Sequence, residues 1–197
     1  MSTEQEKFWI NEFGKSYSKR NKRKNKKKFF NNIIKKTGKL ESVFEIGTNI
    51  GLNLDELKKL DSKIETFGVE INEYAFKECK KKGHHIFNNS IIDFKIEKKF
   101  DLVFTSGVLI HINPKKLNHV YSKLFNLSKK YILIEEYFNP TPIQITYRKF
   151  KNKLFKRDFA KEIMKKYRLQ LVDYGFLWKE DKKVDADNTT WFLFKKK

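Results

Sequence analysis

The stretch Val43-Phe44-Glu45-Ile46-Gly47-Thr48-Asn49-Ile50-Gly51 constrains this chain more than any other. In it an apolar run ends in an acid and passes through a glycine loop into a helix-like segment. A second apolar run, Phe67-Gly68-Val69, ends in Glu70, 19 residues after Gly51. Strand, tight turn, helix and a second strand closed by a carboxylate make the unit with which a doubly wound α/β domain holds a nucleoside. The turn lets backbone come close to the ligand, and the acid accepts hydrogen bonds from ribose hydroxyls.

The glycine spacing separates two ligand classes. A dinucleotide pyrophosphate calls for Gly-x-Gly-x-x-Gly, so that helix-terminal N–H groups meet phosphate oxygens. Here Asn49 stands where the second glycine would be, and the loop reads Glu-x-Gly-x-x-x-Gly from Glu45 through Gly47 to Gly51. It resembles motif I of the class I S-adenosylmethionine-dependent methyltransferases, whose cofactor carries a carboxylate and an ammonium but no phosphate. That resemblance implies a close-approach role for Gly47 and Gly51 and a polar or water-mediated role for Glu45 near the methionyl end. Asn49 tolerates a positive φ. Glu70, with Ile71 beside it, then takes the ribose. By the same resemblance Ser90 and Ile91 border the adenine, and Ser106, Gly107 and Val108 line the end of the pocket where the methyl is transferred.

Helix and strand signals alternate through the rest of the chain. Strands are expected at 42–46, 64–71, 85–87, 100–105, 131–135, 169–178 and 190–194, with helices at 51–60, 72–82, 114–127 and 158–166. Residues 138–155, polar and carrying Pro140 and Pro142, read as a loop. The expected fold is α/β and Rossmann-like. Its sheet is mostly parallel and seven-stranded, with an antiparallel C-terminal hairpin and helices on both faces. Residues 1–39 are expected to form an N-terminal helical extension, and 40–197 the cofactor-binding domain.

Composition narrows the classes further. With 39% hydrophobic residues, 19 of them Phe, a chain of 197 residues can bury one substantial core. It has no apolar run of about 18 residues. Residues 1–7 are polar and lack the order of a signal peptide, so a cytoplasmic protein is expected. Cys79 is the single cysteine, and His84, His85 and His119 lack metal-ligand spacing, so no metal is expected. Of the 44 basic residues behind the net charge of +20, only five are arginine. Specific phosphate recognition favours Arg, so most of this charge reads as lysine spread over exposed positions. The segment 19–28 stands out as a cluster. It reads as the solvated face of a helix, or as a contact for nucleic acid, anionic lipid or an acidic glycan precursor.

A larger pattern spans nearly the whole chain. Tyr131-Ile132-Leu133-Ile134-Glu135-Glu136-Tyr137-Phe138-Asn139-Pro140-Thr141-Pro142 is followed by Tyr147-Arg148. Upstream lie Phe8-Trp9, Glu12 through Tyr17, and Arg20-Asn21; downstream lie Leu171 through Phe176 and Thr190-Trp191-Phe192. Together they look like the pseudaminic acid biosynthesis-associated methylases, small bacterial proteins linked to surface nonulosonic sugars. The chain departs from that family at Lys149-Phe150, where Gly-His is expected.

The resemblance implies S-adenosylmethionine as cofactor, S-adenosylhomocysteine as product, and a small acidic or sugar acceptor. Tyr137, Tyr147 and Arg148 follow the fifth strand and are candidates for the acceptor, with Arg148 pairing with a carboxylate or phosphate. His111, with an ordinary pKa of about 6.5, is a candidate general base. Two alternatives stay open: an RNA methyltransferase contacting phosphates through 19–28, and a non-catalytic scaffold. Against the former, the chain lacks the Asn/Asp-Pro-Pro-aromatic and Pro-Cys motifs of nucleic-acid methylation.

Overall fold

The computed structural model describes residues 2–21 and 25–197. Part of the basic segment, residues 22–24, therefore lies outside the described residues. The chain opens with helices α1 (Glu4–Ile10), α2 (Glu12–Arg20) and α3 (Lys27–Thr37). Thr3 and Glu6 form a reciprocal capping box at the start of α1. Then β1 (Ser42–Ile46), α4 (Leu52–Leu60), β2 (Glu65–Glu70), α5 (Glu73–Lys80), β3 (His85–Asn88) and β4 (Phe100–Ser106) alternate. Asn72 caps α5 by accepting the Ala75 N–H, and Gly83 takes φ 84 just beyond the helix. Pro114 opens a short 3₁₀ turn that leads into α6 (Leu117–Leu127), which runs directly into β5 (Ser128–Glu136).

Five of these strands pair in parallel, and the last two elements of the chain, β8 (Leu169–Leu177) and β9 (Thr189–Lys196), close the sheet antiparallel. The sheet order is β3-β2-β1-β4-β5-β9-β8, seven strands in all. Side chains on successive residues point to opposite faces, so the central strands feed two cores. Phe44, Val103, Ile132 and Ile134 pack with α6 and with α7 (Phe159–Met164). Val43, Leu102, Phe104 and Leu133 pack with Phe29, Phe30 and Ile33 of α3 and with Leu54 and Leu57 of α4. Strands covered on both faces read as continuous apolar runs, which is why β1 is buried along its whole length.

The segment 138–155 is not the loop that its prolines and lysines indicate. It holds an antiparallel hairpin, β6 (Ile143–Tyr147) and β7 (Phe150–Lys156), outside the main sheet. Its two-residue turn is Arg148-Lys149, with φ 47 and 72. Turns of this kind place both central residues at positive φ, and Asn-Gly is their usual sequence. With Arg-Lys there, the chain carries no turn signal. The hairpin packs back onto α1 and α2, where Phe150 meets Phe8 at 5.0 Å and Phe13 at 5.6 Å between ring centroids.

Candidate functional site

The parallel strands β1, β2 and β4 end around one cleft of about 1060 Å³, part of it open to solvent. This is where ligands bind in open α/β sheets, outside the carboxyl ends of the strands. At its base Gly47 takes φ 72, and a Cβ there would stand 2.6 Å from Val108 Cγ2. A side chain at Gly47 would thus close the gap between the glycine loop and the loop after β4. Asn49 also takes a positive φ, 49.

The Glu70 carboxylate joins the two motifs. One oxygen accepts the Asn49 N–H at 2.7 Å and the other the Asn72 N–H at 2.7 Å. Burial raises the Glu70 pKa above the ordinary carboxyl range, partly offset by the amides of Asn72, Asn49 and Ile71. Deeper in the cleft, Glu45 accepts the Asn53 side-chain N–H at 2.6 Å. Because a carboxylate only accepts, this fixes the Asn53 amide with its oxygen turned the other way. That oxygen and the Asn49 side-chain oxygen are buried with no hydrogen-bond partner among the described residues. Two acceptors kept out of water cost free energy unless a ligand supplies donors.

The remaining walls come from the loops after β3 and β4 and from the N-terminal helices. Ser90 donates its hydroxyl to Glu6 of α1 and accepts the Ile92 N–H, while Ile91 lines the cleft beside it. Burial pushes the Glu6 pKa up, but hydrogen bonds from Ser90 and Thr3 outweigh it and hold the carboxyl below its ordinary value. Ser106 accepts from Lys26 Nζ at 3.0 Å. The next turn, from Gly107 at φ 67 through Val108, is organised from behind by Glu136, whose carboxylate accepts the amides of Val108, Leu109 and Ile110.

His111 closes this wall. Its Nδ1–H donates to the Lys153 carbonyl of β7 at 2.5 Å, which leaves Nε2 with the lone pair. Burial lowers its pKa to about 4, so the ring is neutral at any ordinary pH. Trp9 of α1 lies 4.7 Å and Tyr147 of β6 4.9 Å from the imidazole, centroid to centroid.

Most of the residues singled out from the sequence meet in this cleft. Glu45, Gly47, Asn49, Glu70 and Ile71 form its base, and Ser90, Ile91, Ser106, Gly107, Val108 and His111 its walls. Four lie elsewhere. Gly51 starts α4 at φ 79, and a Cβ there would stand 2.5 Å from Cys79 Sγ, so its bareness serves helix packing rather than the cleft. Tyr137 is half-buried beyond β5, with Lys156 Nζ 5.2 Å from its ring centroid. Tyr147 backs His111 from outside, and Arg148 is exposed on the hairpin turn.

Sequence reasoning did not single out the roof of the cleft. Gln5, Glu6 and Trp9 of α1, with Gly14, Tyr17 and Ser18 of α2, lie over the opening. The Asn72 side chain ties this roof down by donating to the Trp9 and Ile10 carbonyls at 2.9 and 3.1 Å. Gly14 permits the close crossing, since a Cβ there would stand 1.9 Å from the Trp9 carbonyl oxygen. The only signal was aromatic: Phe13 and Tyr17, four residues apart, share one side of α2, and Trp9 of α1 packs against both, 5.5 and 5.2 Å between ring centroids. Among the described residues no group of His, Cys, Asp or Glu is arranged to hold a metal ion, and no helix is long and apolar enough to cross a membrane.

No protein-family model matches the chain, and no curated protein matches it in sequence. Solved structures do match. The Burkholderia thailandensis 1,6-didemethyltoxoflavin-N1-methyltransferase, with S-adenosylhomocysteine bound, aligns over 97% of this chain and 86% of its own, at TM-score 0.75 and 10% identity. Magnesium protoporphyrin IX methyltransferase from Synechocystis PCC 6803, with S-adenosylmethionine bound, aligns over 100% and 99%, at TM-score 0.70 and 11% identity. An S-adenosylmethionine-dependent methyltransferase from Clostridium acetobutylicum aligns over 94% and 98%, at TM-score 0.67 and 14% identity. The chain has the Rossmann-like methyltransferase fold, a mostly parallel seven-stranded sheet ending in antiparallel strands, with the β6–β7 hairpin added.

Proposed function

We propose that this chain is an S-adenosylmethionine-dependent methyltransferase acting on a small molecule. One observation carries the reading: a single cleft gathers the glycine loop, Glu70 and the 106–108 turn under a roof of two helices. The residues fit the cofactor. Glu70 takes ribose hydroxyls, and the bare Gly47 leaves room beside Val108. The unpartnered oxygens of Asn49 and Asn53 suit ligand donors such as hydroxyl and ammonium groups. Ser90 and Ile91 flank the base. Residues 40–197 bind the cofactor, and 1–39 form the extension that covers it.

When bound, S-adenosylmethionine supplies a methyl group that is already electrophilic. The task left to the chain is to align the acceptor and keep water out. Trp9, Tyr17 and the α1–α2 roof exclude water. His111 presents Nε2 to the cleft and accepts the proton of an acceptor hydroxyl or N–H. Tyr137, Tyr147 and Arg148 contact the more distant part of the acceptor. The resemblance to the pseudaminic acid-associated methylases supports a nonulosonic sugar, free or nucleotide-activated, as acceptor, and a cytoplasmic setting.

The test is calorimetric titration of S-adenosylmethionine and S-adenosylhomocysteine into the wild type and Glu70→Ala. Micromolar binding lost in the variant supports the assignment. Absence of binding to the wild type overturns it in favour of a non-catalytic scaffold.

A further inference from the structure

The two edges of the main sheet are built differently. One is β3, only four residues long, and shortness is a common way to keep an edge from pairing with another chain. The other is β8, nine residues whose outer side pairs with no strand among the described residues. It has no proline and no lysine to deter pairing, and its one bulge lies near its start, between Leu171 and Asp173.

The register with β9 sorts the β8 side chains onto two faces. Leu171, Tyr174 and Phe176 stand opposite Phe194, Phe192 and Thr190, which alternate along β9 and so share one face. Tyr174 stacks on the half-buried Phe192 at 6.1 Å between centroids. Helices cover this face over the central strands and leave it open at the edge. Tyr174 is 65% exposed, Phe176 58%, and Trp178, just past the strand, 56%.

This strip is also an exception to the charge of the chain. Lysine and arginine make up 44 of 197 residues, yet none falls between 169 and 178. Other cation-free stretches of that length, among them 41–57 and 100–114, form central strands and loops of the cleft. Here the aromatic residues face solvent. The one charge, Asp173, is already engaged by Lys36 at 3.1 Å.

Charge and area decide what covers the strip. At net charge +20 two copies repel one another, so contact between them is least costly where cations are absent. An anionic partner, membrane or nucleic acid, would be drawn instead to the lysines that this strip lacks. An aromatic side chain carries about 150–250 Å², so Tyr174, Phe176 and Trp178 expose about 350 Å² in each copy. With Leu171, Phe192 and the strand edge, two copies would bury about 1,000 Å², the least that a specific interface needs. An open strand edge is also complementary to itself. A two-fold axis normal to the sheet sets β8 antiparallel to its copy, with Tyr174 and Phe176 of each beside those of the other.

We propose that β8 is a docking surface for a second copy of this chain, the two sheets joining edge to edge through residues 169–178. None of these residues lines the cleft, and the surface does not depend on the methyltransferase reading.

The test is sedimentation velocity of the full chain from about 1 to about 200 μM, at about 50 and about 500 mM NaCl. Expected is a monomer–dimer equilibrium about tenfold tighter at the higher salt, where repulsion between copies is screened. Phe176→Lys and Tyr174→Ser/Phe176→Ser should each weaken it about tenfold or more, with urea unfolding unchanged. Ile10→Lys, which adds the same charge at an exposed apolar position of α1, should weaken it less than about twofold. A chain that stays monomeric at every concentration and salt overturns the proposal. So does a dimer that loosens as salt rises, or one that Phe176→Lys and Ile10→Lys weaken equally. A monomer that sediments with phosphatidylglycerol vesicles through Tyr174 and Phe176 also overturns it and makes the strip a membrane contact.

Discussion

Glu70 accepts the backbone N–H of Asn49 at 2.7 Å, so the acid that ends β2 is hydrogen-bonded directly to the glycine loop that follows β1. Its other oxygen is equally engaged by Asn72, whose side chain holds down the α1–α2 roof. One buried carboxylate thus sets the base of the cleft and reaches its cover. In Glu70→Gln an amide NH₂ must face one of two backbone N–H donors. The expected cost is about 2 kcal/mol of stability in urea unfolding, with S-adenosylhomocysteine affinity reduced at least about tenfold. Unchanged stability and affinity would show that neither contact matters.

Glu136 makes stability depend on pH. Burial pushes its pKa from 4.5 up to about 7, in spite of the amides of Leu109 and Val108. A carboxyl whose pKa is raised in the folded state holds its proton more tightly there than in the unfolded chain. Its contribution is therefore fully present below pH 4.5 and is lost as pH rises through about 7. That difference is worth about 3 kcal/mol. Glu136→Gln cannot titrate. The stability gap between wild type and variant should move by about 3 kcal/mol in the variant's favour between pH 4.5 and 8. A gap that stays constant across urea titrations at these pH values would refute the assignment.

His111 is expected to rest neutral and to carry charge only while it holds the proton taken from the acceptor. Its pKa is lowered to about 4 by burial, so no limb of a kcat/KM profile between about pH 5 and 9 should belong to it. Replacing it with Asn removes Nε2, and kcat on a hydroxyl acceptor should fall about 100-fold, with S-adenosylhomocysteine affinity unchanged. A limb near pH 6.5 that vanishes in the variant would contradict the neutral ring.

The base of the cleft was legible because its parts are local. Val43 through Gly51 and Phe67 through Glu70 carry strand, turn and acid within one unit, and β1–β2 pairing follows from buried apolar runs. The roof was not, because Trp9 and Tyr17 reach the cleft only through tertiary packing, and an aromatic stripe on a helix reads equally as core. The hairpin was hidden for a different reason. Ile143, Ile145 and Tyr147 alternate as a strand should, but the turn after them is Arg148-Lys149, and β7 begins among lysines.

That turn yields its own prediction. Lys149 takes φ 72, a backbone conformation that glycine adopts without steric cost. A non-glycine residue in this region costs about 1 kcal/mol or more. Lys149→Gly should therefore raise the stability of the chain by about 0.5–1 kcal/mol, the relief of strain being reduced by the freedom that glycine adds to the unfolded chain. A loss of stability on thermal unfolding would mean that the lysine side chain holds the turn in place.

The last prediction concerns the junction between the N-terminal helices and the sheet. Lys26, just before α3, places Nζ 2.5 Å from Glu135 Oε2 and 3.0 Å from Ser106 Oγ, with both ends of the ion pair almost fully buried. Glu135 also accepts the Thr189 hydroxyl at 2.9 Å. Removing one member of a buried pair costs more than replacing both, because the remaining charge stays desolvated. Lys26→Met should destabilise the chain by about 3–4 kcal/mol, and Lys26→Met/Glu135→Leu should recover at least half of that. Because Ser106 lines the cleft, the single variant should also weaken S-adenosylhomocysteine binding, read by calorimetry. Additivity of the two substitutions within about 0.5 kcal/mol would show that Lys26 and Glu135 do not act as a pair, and that the α3 end of the extension is held to the sheet by its phenylalanines alone.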